Sequence, residues 1–390
     1  MKRFLFFILA LVLVFSYCSA GCVASDDGED VSAAPTAGAM DLDARGAILI
    51  EASTGTVLYE QNPDEPFPPA SVTKVMTLLL VMEAVDAGKI KMTDPVTVSE
   101  YAASMGGSQV FLSPGETLSV EDMIKCAVIS SANDAAVALA ELVSGSEEAF
   151  VSEMNRRAAE LGMQNAHFEN VTGLDDTTTD HRCSARDIAL MSRALISHKE
   201  ILKYSSTWMD SIRGGEFTLT NTNRLIRFYR GAQGLKTGST AKAKFCLSAV
   251  AERDGMTLIA VVMGSPSRDV RNEETKRLLD YGFANYAVFS SEATELDPVR
   301  VPGGISDYCR VGYDGISCVV SRGEKNKIEC EIELPESLSA PIVAGEVLGR
   351  AVFRSGETVV GEVPIKALEP VGKITFPALL AKLFRALVLG

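Results

Sequence analysis

The run Pro68-Pro69-Ala70-Ser71-Val72-Thr73-Lys74-Val75-Met76-Thr77-Leu78-Leu79-Leu80-Val81-Met82-Glu83-Ala84-Val85 decides how this chain is read. Two prolines close a loop, and an apolar stretch with few breakers follows. Residues 72–85 are therefore expected to form a largely buried helix. Ser71 lies at its first turn, and Lys74, three residues on, shares its face. A serine hydroxyl is a poor nucleophile near neutral pH and needs a base within hydrogen-bond reach. A lysine amine becomes that base when burial and a neighbouring positive charge lower its pKa. Val72, Val75, Met76 and Leu78 supply the apolar surroundings.

Alone, this pair says little. A Ser-x-x-Lys run arises by chance about once or twice in a chain of this length and average composition. Ser239-Thr240-Ala241-Lys242 also fits, but it continues a strand-like run and is set aside as the nucleophile. A lone Ser71 would be read as a helix N-cap. Two further runs follow in order: Ser131-Ala132-Asn133 between two helical segments, and Lys236-Thr237-Gly238 in a strand-like one. Taken singly, the first is a helix junction and the second a surface turn. Taken together, the three runs describe a serine acyl-transfer site in which lysine handles the proton. Ser131 would relay a proton to the leaving amine. Asn133 would hold a substrate carbonyl and bond Lys74. Lys236 would supply the charge that lowers the Lys74 pKa, and Lys236 and Thr237 would face a substrate carboxylate. Gly238, on an edge strand, would let a peptide backbone pair alongside. The amides of Ser71 and Ser239 would stabilise the oxyanion.

The surrounding pattern is α+β. Residues 47–50 and 56–59 read as two strands with Ser53-Thr54-Gly55 as the hairpin between them. Residues 120–129, 134–143, 147–161 and 185–196 have helical spacing. Residues 245–251 and 258–263 return to strand character, with Asp254-Gly255 in the turn, and 271–286 is helical. A sheet is expected to join the two ends of this segment around a helical insert. After about residue 288, short alternating runs broken by Gly, Pro, Asn and Asp predict a small all-β domain. Residues 374–390 carry Leu379, Leu380, Leu383, Phe384, Leu387 and Val388 on one stripe, with Lys382 and Arg385 on the other side and Pro377 near the start. About twelve helical residues reach about 18 Å, short of a hydrocarbon core of about 30 Å, so an amphipathic helix lying in a membrane interface is expected.

Composition bounds the class. The chain has 390 residues and a formal charge of −14, which argues against a nucleic-acid partner. Lys2, Arg3 and the apolar run 4–15 read as an export signal, with cleavage after Ala20 or Ala24. Ser19-Ala20-Gly21-Cys22 looks somewhat like a lipoprotein site but lacks the large aliphatic residue three before the cysteine. Residues 25–43 read as a flexible spacer. Of the eight cysteines, Cys18 and Cys22 fall in the signal region, Cys126 and Cys246 read as small buried residues, and Cys309, Cys318 and Cys330 could hold one disulfide. His167, His181 and His198 are too scattered for a metal site and are given structural roles. The expected layout is a signal peptide over 1–24, a linker over 25–43, a catalytic domain over 44–288, a β-rich domain over 289–370 and an anchor helix over 371–390.

The chain resembles the low-molecular-mass penicillin-binding proteins, specifically the serine-type D-alanyl-D-alanine carboxypeptidases. The resemblance rests on residues 69–77, on Ser131-Ala132-Asn133-Asp134-Ala135-Ala136, on Gly234-Leu235-Lys236-Thr237-Gly238, and on the intervening runs 170–175 and 181–187. It implies a β-lactamase/transpeptidase-like catalytic domain, a C-terminal β-module and a membrane anchor on the outer face of the bacterial cytoplasmic membrane. It implies removal of the terminal D-alanine from peptidoglycan stem peptides through a Ser71 acyl-enzyme, acylation by β-lactams, and no metal or organic cofactor. Arg271 matches a family arginine that helps hold the terminal carboxylate; the plainer reading is a helix-surface arginine. Ser239 and Lys244 stand where the family commonly shows His and Gly, and Ala132 stands where many members have Gly. The alternatives are a D,D-endopeptidase of cross-linked peptidoglycan, a class A-like β-lactamase, and a non-catalytic wall-binding module. No Glu-x-x-Leu-Asn run supports the lactamase.

Overall fold

The computed structural model describes residues 40–389; the signal-peptide segment and most of the 25–43 spacer lie outside them. Strands β1 (Gly46–Glu51), β2 (Val57–Gln61), β3 (Ala232–Thr240), β4 (Lys244–Arg253) and β5 (Met256–Ser265) form one antiparallel sheet in the order β2-β1-β5-β4-β3. Gly46 pairs with Met263, so the sheet closes the two ends of the segment on each other. β1 and β5 are buried almost throughout because both sheet faces are covered. Ile48, Ile50, Ile259 and Val261 pack into one core, and Ala47, Leu49, Leu258 and Ala260 into another. Alternate residues thus feed opposite cores, as the two-residue period of a strand requires.

The first core is filled by the helical insert: α1 (Lys74–Asp86), α2 (Val120–Ile129), α3 (Asn133–Ser144), α4 (Glu147–Glu160) and α5 (Ala185–Ser197). Ten of the thirteen residues of α1 are buried, which accounts for its apolar sequence on every side. A 3₁₀ turn, Ala70–Thr73, precedes α1 and carries Ser71, so the helix proper starts at Lys74, two residues later than the apolar run suggests. Ser119, Ser146 and Ser184 cap α2, α4 and α5 by accepting backbone N–H groups. The second core is covered by α6 (Arg268–Asn285), through Leu278, Leu279 and Phe283.

The last residues of the expected spacer are not free chain. Leu42 is buried, its carbonyl accepts a bond from Gln61 Nε2 at 3.0 Å, and the Tyr59 hydroxyl bonds the Met40 carbonyl. A buried leucine with satisfied backbone belongs to the fold, so the packed chain begins several residues before residue 44.

From Tyr286 to Ala367 the chain is built of strands. β6 (Tyr286–Ser291) pairs with β9 (Ile316–Ser321). β7 (Thr294–Arg300), β8 (Tyr308–Tyr313), β10 (Ile328–Glu333), β11 (Val347–Ser355) and β12 (Thr358–Ala367) form a second sheet in the order β7-β8-β12-β11-β10. Its core is separate, with Val311, Ala351, Phe353 and Ile365 at the centre. Cys309, Cys318 and Cys330 are all free thiols, so the disulfide considered from sequence is not formed among the described residues. Cys309 is buried in the β-module core, whereas Cys330 is exposed on the edge strand β10. α7 (Phe376–Leu389) ends the described chain. It exposes Phe376, Leu379, Leu380, Leu383, Phe384 and Leu387, while Lys382 bonds Asp307.

Candidate active site

The 3₁₀ turn before α1 presents Ser71 beside β3. The fit is close: a Cβ on Gly238 would lie 2.7 Å from the Pro69 carbonyl and 3.0 Å from the Ser71 amide nitrogen. Gly238 is therefore required by the approach of the serine turn to the strand. That reason differs from the expected one, room for a substrate backbone. Gly173, at φ +81°, closes the turn from another side; a Cβ there would collide with the Ala70 carbonyl.

Lys74 is fully buried. Its Nζ lies 3.1 Å from Ser71 Oγ, 2.5 Å from Asn133 Oδ1 and 2.9 Å from the Thr172 carbonyl. Burial, and then the charge of Lys236, hold Lys74 well below the ordinary lysine range, with Asp134 opposing. The neutral amine has two N–H donors and one lone pair. Asn133 Oδ1 and the Thr172 carbonyl accept the two hydrogens, which leaves the lone pair for the Ser71 hydroxyl proton. Asn133 is fixed in turn: its Nδ2 donates to the Gly106 carbonyl at 2.6 Å, so its oxygen faces the lysine.

Ser131 occupies the short link between α2 and α3 at φ +62°, a left-handed conformation that a non-glycine residue adopts under constraint. Its hydroxyl accepts a bond from Lys236 Nζ at 2.8 Å, and the same ammonium donates to the Thr237 carbonyl at 2.9 Å. Lys236 is buried, and burial followed by the nearby Arg271 draws its pKa down to about 7. Replacing Lys236 by Met removes the positive neighbour of Lys74. The Lys74 pKa should rise, and the acid limb of the acylation rate should move to higher pH. Stopped-flow acylation across pH checks this, and an unmoved limb would show that Lys236 does not tune Lys74.

A cleft of about 700 Å³ opens over these groups, lined by Ser71, Ser131, Thr237, Gly238, Ser239 and Arg271 among others. Six of the nine residues singled out from sequence line it, and the other three, Lys74, Asn133 and Lys236, sit buried behind. Arg271 is 3% exposed and anchored by its own neighbour Asn272 and the Cys246 carbonyl, so it is no helix-surface arginine. Lys244, which stands where the family commonly shows Gly, is exposed at φ +55° opposite Thr240 and is not among the residues lining the cleft. Lys242 of the second Ser-x-x-Lys run points away to the Asp175 carbonyl at 2.6 Å.

Sequence reasoning missed the backbone partners of the site, the carbonyls of Thr172 and Gly106. The run 170–175 stood out only by resemblance, and a main-chain acceptor leaves no side-chain signature. It also gave His181 no specific role. His181 Nδ1 accepts the Glu169 N–H at 3.1 Å, so Nε2 carries the proton and donates to Thr73 Oγ1 at 2.8 Å, next to Lys74. Burial lowers its pKa to about 4. Below pH 6.5 the unfolded chain takes up a proton that the folded chain refuses. His181 should therefore cost stability progressively as pH falls from 6.5 to about 4, by about 3 kcal/mol in all. Urea denaturation from pH 7 to pH 4 should show that loss, and the His181→Asn variant should show a shallower pH dependence.

Residues 31–267 match the family model for D-alanyl-D-alanine carboxypeptidase, and residues 310–373 match that for the penicillin-binding protein 5 C-terminal domain. The first match alone covers more than half of the chain. The chain belongs to the D-alanyl-D-alanine carboxypeptidase family. Within the family it is 42% identical to D-alanyl-D-alanine carboxypeptidase DacF of Bacillus subtilis (strain 168), over 96% of both chains. It resembles the crystal structure of penicillin-binding protein 5 from Haemophilus influenzae, with a TM-score of 0.77 and 32% identity, covering 87% of this chain and 100% of that one. It also resembles penicillin-binding protein D2 from Listeria monocytogenes in the ampicillin-bound form, with a TM-score of 0.58 and 33% identity, covering 63% of this chain and 99% of that one. The family fold, a penicillin-binding-protein catalytic domain followed by an all-β module, is the one described above.

Proposed function

We propose that the chain, a serine-type D-Ala-D-Ala carboxypeptidase, removes the terminal D-alanine of peptidoglycan stem peptides with Ser71 as nucleophile and Lys74 as general base. The observation that carries this is the environment of Lys74: a buried amine with two fixed carbonyl acceptors and its lone pair left for Ser71. Lys74 takes the Ser71 proton as Oγ bonds the carbonyl carbon of the penultimate D-alanine. The amides of Ser71 and Ser239 receive the negative oxygen. The C–N bond then breaks as the proton that Lys74 took passes by way of Ser131, held by Lys236, to the departing amine, leaving Lys74 neutral and Ser131 a hydroxyl again. Water enters, gives a proton back to Lys74, and cleaves the ester, restoring the Ser71 hydroxyl. Thr237 and Arg271 hold the terminal carboxylate, and Asn133, buried behind the cleft, positions Lys74. A β-lactam acylates Ser71 by the same route, its ring amide taking the place of the scissile bond.

The chain is exported by its N-terminal signal over 1–24. The catalytic part spans 44–288, with the packed residues 40–43 in front of it, the β-rich part spans 289–370, and the segment 371–390 rests on the outer face of the cytoplasmic membrane. The exposed leucines and phenylalanines of α7 support that placement; no described helix is long and apolar enough to cross a bilayer. The test is D-alanine release from a monomeric stem peptide ending in D-Ala-D-Ala, set beside cleavage of a cross-linked dimer. Faster release from the monomer is expected. Preferential cleavage of the dimer would make the enzyme an endopeptidase, and penicillin destroyed at a high turnover would make it a lactamase.

A further inference from the structure

The cleft carries more positive charge than one terminal carboxylate needs. Arg224, Arg268 and Arg271 all line it, and among the described residues no aspartate or glutamate does, in a chain whose net charge is −14. Arg271 is the buried one. Arg224 and Arg268 are exposed, and among the described residues neither side chain has a hydrogen-bond or ion-pair partner. An acidic protein that leaves two unpaired guanidinium groups in a cleft free of carboxylates has a surface complementary to anions.

Their position follows from the hydrogen bonds. The oxyanion donors lie at Ser71 and Ser239, while the proton donor Ser131 is held by Lys236, so the leaving group departs along the 236–237 end of β3. The turn that carries Arg224 packs on that end: Thr237 Oγ1 bonds Thr222 Oγ1 at 2.8 Å, and Asn223 Nδ2 donates to the Gly234 carbonyl at 2.9 Å. Asn221 donates its amide to the Trp208 carbonyl at 2.9 Å, which brings Trp208 to the same wall. Trp208 and Phe228 meet edge to face at 6.4 Å, with Arg227 over both rings. Arg268 lies one helical turn before Arg271, on the same face. A cleft of about 700 Å³ falls in the range that encloses drug-sized ligands and far exceeds one departing alanine.

We propose that the end of the cleft formed by Trp208, Arg224, Phe228 and Arg268 is a leaving-group subsite that takes a D-amino acid bearing a second carboxylate. The aromatic pair packs against its methylenes, and the two arginines meet its side-chain charge. The inference rests on the acyl-transfer reading above and adds the substrate class. Free D-alanine has one carboxylate; the strand released from a cross-link has several. Because both arginines are solvent-exposed, screening holds the gain to about tenfold.

The test uses the full chain and three synthetic peptides, diacetyl-L-Lys-D-Ala-D-Xaa, with Xaa as Ala, Gln or Glu. D-Gln and D-Glu have nearly the same shape, so their ratio reads charge alone. The expected kcat/KM for D-Glu is about tenfold above that for D-Gln at low salt, converging in 1 M salt. In the double variant R224Q/R268Q the ratio should fall to about one. Because the readout is a ratio within one protein, a general loss of activity cancels, and the wild-type ratio stands even if the variant folds poorly. D-Glu no better than D-Gln, or a ratio unchanged in the double variant, overturns the subsite while D-alanine release leaves the carboxypeptidase reading standing. No release from the D-Ala-D-Ala peptide overturns both.

Discussion

Ser71→Ala should abolish D-alanine release, with kcat/KM falling by at least about 10⁴, the range seen when a covalent nucleophile is removed. The substitution is small and local. Ser71 is half-buried, its backbone turn is set by Gly238 and Gly173, and among the described residues its hydroxyl bonds only Lys74. The melting temperature should therefore stay near that of the parent. Intact-mass spectrometry after mixing with penicillin gives the second readout. The parent should gain one adduct, mapped to the peptide that contains Ser71, and the variant none. A variant that still gains the adduct at full rate would move the nucleophile elsewhere. Ser239 is the obvious rival in sequence, but Lys242 of its run is held at the Asp175 carbonyl.

Lys74→Met should lower the acylation rate constant by about 10³ to 10⁴, the upper range for a positioned general base. Methionine keeps the length and apolar stem of the side chain and deletes the amine. Two carbonyl acceptors, Asn133 Oδ1 and the Thr172 oxygen, lose their donor. Each such loss costs about 1–3 kcal/mol, offset by relief of the desolvation of a buried amine. The variant is thus expected to fold, bind β-lactam non-covalently and acylate slowly. A loss of D-alanine release in the double variant no greater than in Ser71→Ala alone would show the two acting as one unit. A variant with near-parental acylation would assign the base to another group, Lys236 through Ser131 being the next candidate.

Much of this was legible in the chain. Residues 72–85 could be read as a buried helix because ten of the fourteen positions are apolar with no helix breaker among them, and the structure buries nearly all of the stretch. The sheet was visible because β-rich hairpins stand at both ends of the segment around a helical insert, and Gly46 finds Met263. The three short runs could be combined into one site because each supplies what the others lack: a nucleophile, an amide with a hydroxyl, and a second cation. Other features were out of reach for physical reasons. The 3₁₀ turn at Ala70–Thr73 is set by the approach of β3, which is a tertiary contact. The positive φ of Ser131 has no sequence signal, because serine is not the residue that marks left-handed backbone. Arg224, Arg268, Trp208 and Phe228 are brought to the cleft from separate loops and helices. The burial of Arg271 could not be told from a helix-surface position, since α6 carries charged residues along much of its length.

The chemistry depends on Lys74 being uncharged at the moment of attack, and the second-order rate constant for penicillin acylation across pH tests that most directly. With the amine held well below the ordinary lysine value of 10.5, the rate should rise with pH and level off well before that value, the plateau marking the free base. A rate still climbing about tenfold per pH unit as 10.5 is approached would mean an ordinary, charged lysine beside Ser71 and would contradict the mechanism.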